Sequence, residues 1–376
     1  MEHYLDNAAT TAVCPEAAAA ALRAMTEDYG NPSSTHAKGR AAAKLLAAAR
    51  GEVAEALGCR AEELVFTSCG SESDNWALLG GAESARRVGK HVVSSLVEHD
   101  AVRKSLDLLE QRGWEITRLK PDETGAVRVE DVRAALREDT ALVSLMMVNN
   151  ETGGVTDIAA VARMLRAQNS RALLHTDAVQ AFLKVPFAAK TLGADMISVS
   201  GHKIHAPKGV GALYIRSGLR LRPYIVGGAQ ETGRRAGTEA VPQIAAFGAA
   251  ARLGREGMAE SCARMAALKA EALARLSAEI PELVWIDSAA PHILSVSLPG
   301  WRSEVLMNFL EAREIFVSKS SACKKGGRSH VLEAMGLDAR TIDGALRVSL
   351  SRFTTREDIE ALAAALKDAR DTLAHR

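Results

Sequence analysis

Short, largely apolar runs alternate with longer helix-like stretches through the first two-thirds of the chain. The runs Glu63–Thr67, His91–Ser94, Ile116–Leu119, Ala141–Met147, Ala172–His175, Met196–Ser200 and Gly211–Ile215 predict strands. The Ala/Leu/Arg-rich segments Gly39–Ala56, Asp100–Arg112, Val129–Leu136 and Asp157–Ala167 predict helices. Strand runs without polar alternation are buried on both faces, so the pattern predicts an α/β layer structure: a mostly parallel sheet covered by helices on either side. The texture changes after Ile244. The alanine-rich stretch Ala245–Ala278 predicts one long helix, because alanine has the highest helix propensity. Beyond it, strand candidates Leu283–Ile286, Ile293–Leu298, Ile315–Val317 and Leu346–Leu350 mix with helices Ser303–Glu311, Val331–Met335 and Arg356–Ala374, an α+β unit of its own.

Length and composition narrow this picture further. A chain of 376 residues divides more naturally into two units than one. The net charge of +1 gives no general attraction to nucleic acid or anionic membrane. No apolar run reaches the roughly 18 residues of a membrane span, and the opening Met-Glu-His-Tyr-Leu-Asp-Asn is no export signal, which predicts a cytoplasmic protein. Five scattered cysteines without a Cys-x-x-Cys pair speak against a disulfide framework or a structural metal and leave room for a free thiol.

Two polar residues stand out at the ends of apolar strands. Asp177 closes Leu174-His-Thr-Asp177, and Lys203 follows Ile197-Ser-Val-Ser-Gly-His. Pyridoxal phosphate needs this combination: a lysine to form a Schiff base with its aldehyde, and an acid to keep its pyridine nitrogen protonated. Gly201, Gly209 and Gly211 allow tight turns around the lysine, and Gln180 would reach a ring hydroxyl oxygen from the same surface as Asp177. Either residue alone would pass for a solvated turn lysine or a helix cap. The segment Thr67-Ser-Cys-Gly70-Ser71-Glu-Ser-Asp-Asn leads from a strand through a Gly/Ser turn into a helix, which aims backbone N–H groups at an anion such as phosphate. Ser200 and His202 would add donors. His99 and Asn150 also fall at strand ends, where open α/β sheets bind their ligands.

These motifs, with Tyr4-Leu-Asp-Asn-Ala-Ala-Thr-Thr11, Gly30-Asn-Pro-Ser-Ser-Thr-His36, Val148-Asn-Asn-Glu-Thr-Gly153, Arg235-Ala-Gly-Thr238 and Arg347-Val-Ser-Leu-Ser-Arg352, run nearly end to end. Together they resemble the cysteine desulfurases of the NifS/IscS kind, within the fold-type I, class V aminotransferase superfamily of pyridoxal-phosphate enzymes. The resemblance implies a large domain at 15–250 holding a seven-stranded, mostly parallel sheet, and a smaller α+β domain made of 1–14 and 251–376. It implies that Lys203 holds the cofactor, Asp177 its pyridine nitrogen and Gln180 its phenolic oxygen. Gly70, Ser71, Ser200 and His202 would hold the phosphate, together with Thr238 from the neighbouring subunit of an obligate homodimer. His99 would stack on the ring and assist proton transfer, while Asn150 and Arg352 would bind the substrate carboxylate.

The segment Val317-Ser-Lys-Ser-Ser-Ala-Cys323-Lys324-Lys325-Gly326-Gly327-Arg328 narrows the reaction. Its cationic neighbours would favour a Cys323 thiolate, and its glycines would let the loop move. The resemblance then implies that L-cysteine becomes L-alanine while its sulfur passes to Cys323 as a persulfide. From there the sulfur would go to an acceptor protein for iron–sulfur cluster assembly, thio-cofactor synthesis or tRNA thiolation. No resident metal is expected, only transient iron–sulfur contact through Cys323, and no direct nucleic-acid or membrane partner. Selenocysteine cleavage and transamination or another β-lyase reaction are the alternatives on the same scaffold. Compared with long-loop relatives, the stretch from Cys323 to Val331 is about two residues shorter. The chain also ends at Arg376 without the scaffold-docking extension of some relatives, and Cys69 stands where a glycine is expected.

Overall fold

A computed structural model describes residues 2–319 and 327–374. The predicted α/β architecture is present. In spatial order the main sheet runs Leu64–Thr67, Gly211–Ile215, Met196–Ser200, Leu173–Asp177, Thr140–Ser144, His91–Ser95 and Glu115–Leu119. All neighbours are parallel except Gly211–Ile215, which is antiparallel to both strands beside it. The central strands are buried along their whole length, which is why they read as continuous apolar runs rather than alternating ones. Gly211 has a specific reason: a Cβ there would lie 2.8 Å from the Cys69 carbonyl carbon and from the Val199 oxygen.

A second sheet orders Ser318–Lys319, Ala345–Ser349, Ile293–Ser297 and Val284–Ile286, all antiparallel. It packs its own apolar cluster, including Leu294, Leu346, Leu362 and Leu366. The long helix expected over Ala245–Ala278 is two helices, Val241–Glu256 and Met258–Glu279, parted at Gly257. Glycine's backbone entropy makes it a weak point in a helix, and the bend there lets the first helix lie along Pro15–Thr26 and Ala37–Leu57. The strand expected over Ala141–Met147 ends at Ser144; beyond it Leu145 and Met147 N–H groups still donate to the His175 and Asp177 carbonyls, while Met146 and Val148 border the site.

The first residues connect both sheets. His3–Tyr4 pairs in parallel with Ile315–Phe316, and Asp6 bridges to Ser349. Asn7 Nδ2 donates to the Ser349 carbonyl at 2.9 Å, and the Thr11 hydroxyl donates to the His202 carbonyl at 2.9 Å. Residues 5–12 thus form a strap across the carboxyl edge of the main sheet. Among the described residues no helix is long and apolar enough to cross a membrane.

Candidate active site

The carboxyl ends of the parallel strands open onto one cavity of about 370 Å³. It is bordered by Lys203, Asp177, Gln180, Ser200, His202, Gly70, Ser71, His99 and Asn150. Nine positions scattered over more than a hundred residues of sequence therefore meet at one place.

Lys203 ends a short 3-10 turn, Gly201–Lys203, that follows the strand Met196–Ser200. Its Nζ donates to the strap carbonyls of Ala8 (2.7 Å) and Ala9 (2.6 Å). Asp177 is the last residue of its strand, and its Oδ1 accepts from the Val179 N–H at 2.9 Å. Burial pushes its carboxyl above the usual range, while His99 and Lys203 pull the other way. Gln180 Nε2 gives one proton to the Ala8 carbonyl at 2.9 Å; its Oε1 is buried without a partner.

At the opposite end, the helix Gly70–Ser84 begins at the cavity wall, and its N-cap Cys69 makes no side-chain cap bond. The first N–H groups of that helix therefore remain free, at the positive end of its dipole. Gly70 fits because a Cβ would lie 2.8 Å from Val179 Cγ2. Beside it, the Ser200 hydroxyl is buried and unpartnered. His202 Nδ1 lies 3.2 Å from the Thr10 hydroxyl. Burial, with Lys203 and Lys208, pushes this imidazole down to about 4, so the ring is neutral. A neutral ring that accepts Thr10's proton at Nδ1 carries its own on Nε2. Glu72 braces the turn by accepting from the Ser68 N–H at 2.7 Å and from Arg235 Nε at 2.9 Å.

His99 caps the helix Asp100–Gln111, accepting from the Ala101 N–H at 3.1 Å. Asn150's carbonyl accepts from Arg347 Nη1 at 3.0 Å. Arg352 does not border the main cavity. It lines a second, small one of about 30 Å³, which Lys203 also borders. Thr238 is exposed and away from the cavity lining. Cys323, Lys324, Lys325 and Gly326 lie outside the described residues. Arg328, expected to favour a thiolate, pairs instead with Asp343 at 2.8 and 3.0 Å, so its charge is already shared.

The structure adds residues that the motifs did not single out. Asp74 is fully buried on the cavity wall, 3.7 Å from His175 Nε2, with Oδ1 unpartnered. Burial, reinforced by the nearby Asp177, pushes its carboxyl well up. Glu98 Oε1 accepts from Ser95 Oγ at 2.5 Å and the Met146 N–H at 3.1 Å, and burial pushes this acid up to about 8. His175 sits between Ser144 (2.9 Å) and Ser198 (3.0 Å), and burial pushes it down to about 3. Arg347 reaches the cavity while its Nη2 donates to Asp6 Oδ1 (3.0 Å) and Ser318 Oγ (2.7 Å). The available signal was adjacency: Asp74 lies within the phosphate-turn segment, Glu98 precedes His99, and Arg347 opens the motif that contains Arg352.

Comparison with known proteins agrees with this geometry. The family model "Aminotransferase class-V" matches residues 3–362. A protein of Trichormus variabilis described as cysteine desulfurase 2 is 43% identical over 362 residues, covering 95% of this chain and 90% of its own. Among solved structures, a NifS-like protein superimposes with a TM-score of 0.94 at 36% identity, covering 99% of this chain and all of that one. A structure described as SspA in complex with cysteine matches with a TM-score of 0.80 at 30% identity, over 94% of this chain and all of its own.

Proposed function

This chain belongs to the class-V aminotransferase family, a family of pyridoxal-phosphate enzymes, and we propose that it is a cysteine desulfurase, converting L-cysteine to L-alanine and passing the sulfur onward. One observation carries the reading: Lys203 and Asp177 border the same cavity as a helix N-terminus and a buried, unpartnered Ser200 hydroxyl. The residues fit pyridoxal phosphate. Its phosphate matches the free N–H groups at Gly70 and Ser71 with the Ser200 and His202 donors. Its pyridine nitrogen matches Asp177, and its phenolic oxygen the remaining N–H of Gln180. When bound, the cofactor supplies an electron sink for negative charge at the substrate's α-carbon.

The chain's own residues supply the rest. Lys203 would hold the cofactor, and its amine would move the α-proton as a general base. Asp177 would face the pyridine nitrogen and, as carboxylate, keep a proton on it; the positive nitrogen would offset the burial that favours the neutral acid. His99, at the cavity wall, assists proton transfer. Arg352 would hold the substrate carboxylate, its guanidinium suited to two parallel N–H···O bonds, and Asn150 would meet the substrate from the main cavity. Cys323 attacks the substrate sulfur as thiolate: a sulfur–sulfur bond forms, the carbon–sulfur bond breaks, and the carbon skeleton leaves as alanine after protonation. The persulfide then meets an acceptor protein, which would serve iron–sulfur cluster assembly or a thiolation pathway.

We assign residues 15–250 to the cofactor-binding unit and 1–14 with 251–376 to the smaller one, a division supported by the two separate sheets. We also take the working form to be a homodimer, with Thr238 reaching the partner's phosphate site. Support comes from the exposure of Thr238 and from the apolar Tyr224, Ile225 and Val226 exposed in the preceding stretch, Val226 at 86%.

The test is direct: cofactor-loaded protein is given L-cysteine, and alanine and sulfide are measured for the wild type and Cys323→Ser. Alanine from the wild type and its loss in the variant are expected. Absence of alanine from the wild type would sink the reading, and unchanged sulfide release by Cys323→Ser would remove that thiol from the mechanism. Lys203→Ala should lose the visible absorption band of protein-bound cofactor.

A further inference from the structure

Lys184 is buried deeply, 6% exposed, and its Nζ has no hydrogen-bond partner. It borders the small cavity next to the main one, together with Lys203, His205, Ser351 and Arg352. The charges around it are cationic: Lys203 and Arg347 both act against its proton, and with burial they push the amine down to about 7. His292, fully buried, has both ring nitrogens unpartnered and is itself pushed down by Lys184 after burial. Arg352 Nε is unpartnered too.

The backbone holds Lys184 in place at a cost. Leu183, the residue before it, has φ 59, a left-handed conformation unfavourable for a side chain branched beyond Cβ. Two hydrogen bonds hold the turn: Lys184 N–H donates to the Ala181 carbonyl at 2.9 Å, and the Cys262 thiol donates to the Lys184 carbonyl at 3.2 Å. An amine desolvated without a partner, on a strained turn, among other cations lacks one thing: an anion. The cavity, about 30 Å³, has room for two water-sized groups, the size of the two oxygens of a carboxylate.

We propose that Lys184 is a second cationic ligand of the substrate's α-carboxylate, which sits in the small cavity and accepts from both Arg352 and Lys184. The inference rests on the reading that the substrate is an amino acid held through Arg352. Lys184 thereby sets selectivity for amino acids over plain amines. The arriving carboxylate also restores the charge that burial removes from the amine.

L-Alanine and ethylamine differ at the α-carbon by the carboxylate and carry no sulfur to transfer, so their binding can be compared without turnover. Both are titrated into cofactor-loaded wild type, Lys184→Met and Lys184→Arg, following the absorption of the bound cofactor. Lys184→Met should weaken L-alanine roughly tenfold or more, the value of a buried charged hydrogen bond, and leave ethylamine within about twofold. Lys184→Arg should recover part of the loss. Equal weakening of both ligands would overturn the proposal, because Lys184 would then act on the cofactor or the fold. No change in either would overturn it in favour of a lysine that holds only water. Should Lys184→Met fail to fold, Lys184→Gln gives the same ratio with a polar, uncharged side chain. A wild type that prefers L-alanine to ethylamine but forms no alanine from cysteine would refute the desulfurase reading and leave this one standing.

Discussion

Two sets of buried groups line or adjoin the two cavities, an acid wall and a basic wall, and they handle charge in opposite ways. In the first, Asp74, Glu98 and Asp177 are acids whose affinity for protons rises on burial. In the second, Lys184, His202, His205 and His292 are bases whose affinity for protons falls on burial. The physical cause is the same, loss of water around a charge, and it acts with opposite sign on acids and bases. Each wall alone would cost several kcal/mol if its groups stayed ionised. Burial instead moves both toward neutrality, and a guest with a positive end and negative ends can draw charge back where it is needed.

The comparison can be broken in a series of experiments. Asp177→Asn should cut the rate of alanine formation by about 10² or more, since an amide cannot hold the facing nitrogen protonated. A change under about fivefold at saturating cysteine would mean that the acid wall has no catalytic member. The next effects are on stability and run in opposite directions with pH. Glu98 binds its proton more tightly when folded, at about 8 against an ordinary 4.5. Its stabilising contribution is therefore complete below pH 4.5 and is lost as pH rises through 8. Glu98→Gln should gain on the wild type over that window, by an amount on the order of a few kcal/mol, read from denaturant midpoints at pH 5, 6.5 and 8.

Lys184 behaves in the mirror image. Its folded value of about 7 lies below the ordinary 10.5, so its contribution is complete above pH 10.5 and is lost as pH falls through 7. Lys184→Met should therefore be most stabilising relative to wild type below pH 7, and the gain should fade toward pH 10. The same slope in both variants would contradict the two-wall description. The smallest effect belongs outside both walls: Lys104 pairs with Asp107 at 3.1 Å on the surface. Lys104→Ala should cost no more than about 0.5 kcal/mol and show no pH dependence between 6 and 9, by the same unfolding measurement.

The acid wall was partly legible in the sequence and the basic one hardly at all. Asp177 ends a buried strand, and an acid there demands a reason, so the strand pattern exposed it. Asp74 lies in the second turn of the helix Gly70–Ser84 and Glu98 in a strand–helix turn, places where acids ordinarily meet water, and only their packing shows otherwise. Lys184 sits four residues after Gln180 in the apolar run Ala-Phe-Leu-Lys184-Val-Pro-Phe, where a single lysine reads as a residue turned to solvent. Its burial depends on the helix Met258–Glu279, which supplies Cys262, and on Ser351 and Arg352 far along the chain. Sequence periodicity reports local faces of elements, not what a distant segment later covers. The strands of the main sheet were legible to within a few residues because burial on both faces leaves mostly apolar residues with small polar ones such as serine and threonine. The long helix was misjudged because alanine content outweighed Gly257, the one residue that marked its break.

The strap has a consequence for the order of events during synthesis. Residues 5–12 complete the pocket, yet the Ala8 N–H donates to Ser349 Oγ, a residue 341 positions later. At a typical elongation rate that interval is roughly 20 to 70 s. During it, the strap's final partner does not exist and the cofactor site lacks one side. A nascent chain therefore cannot finish its active site on the ribosome from the front. The first segment made must wait for almost the last, which makes loading with cofactor an event of the completed polypeptide.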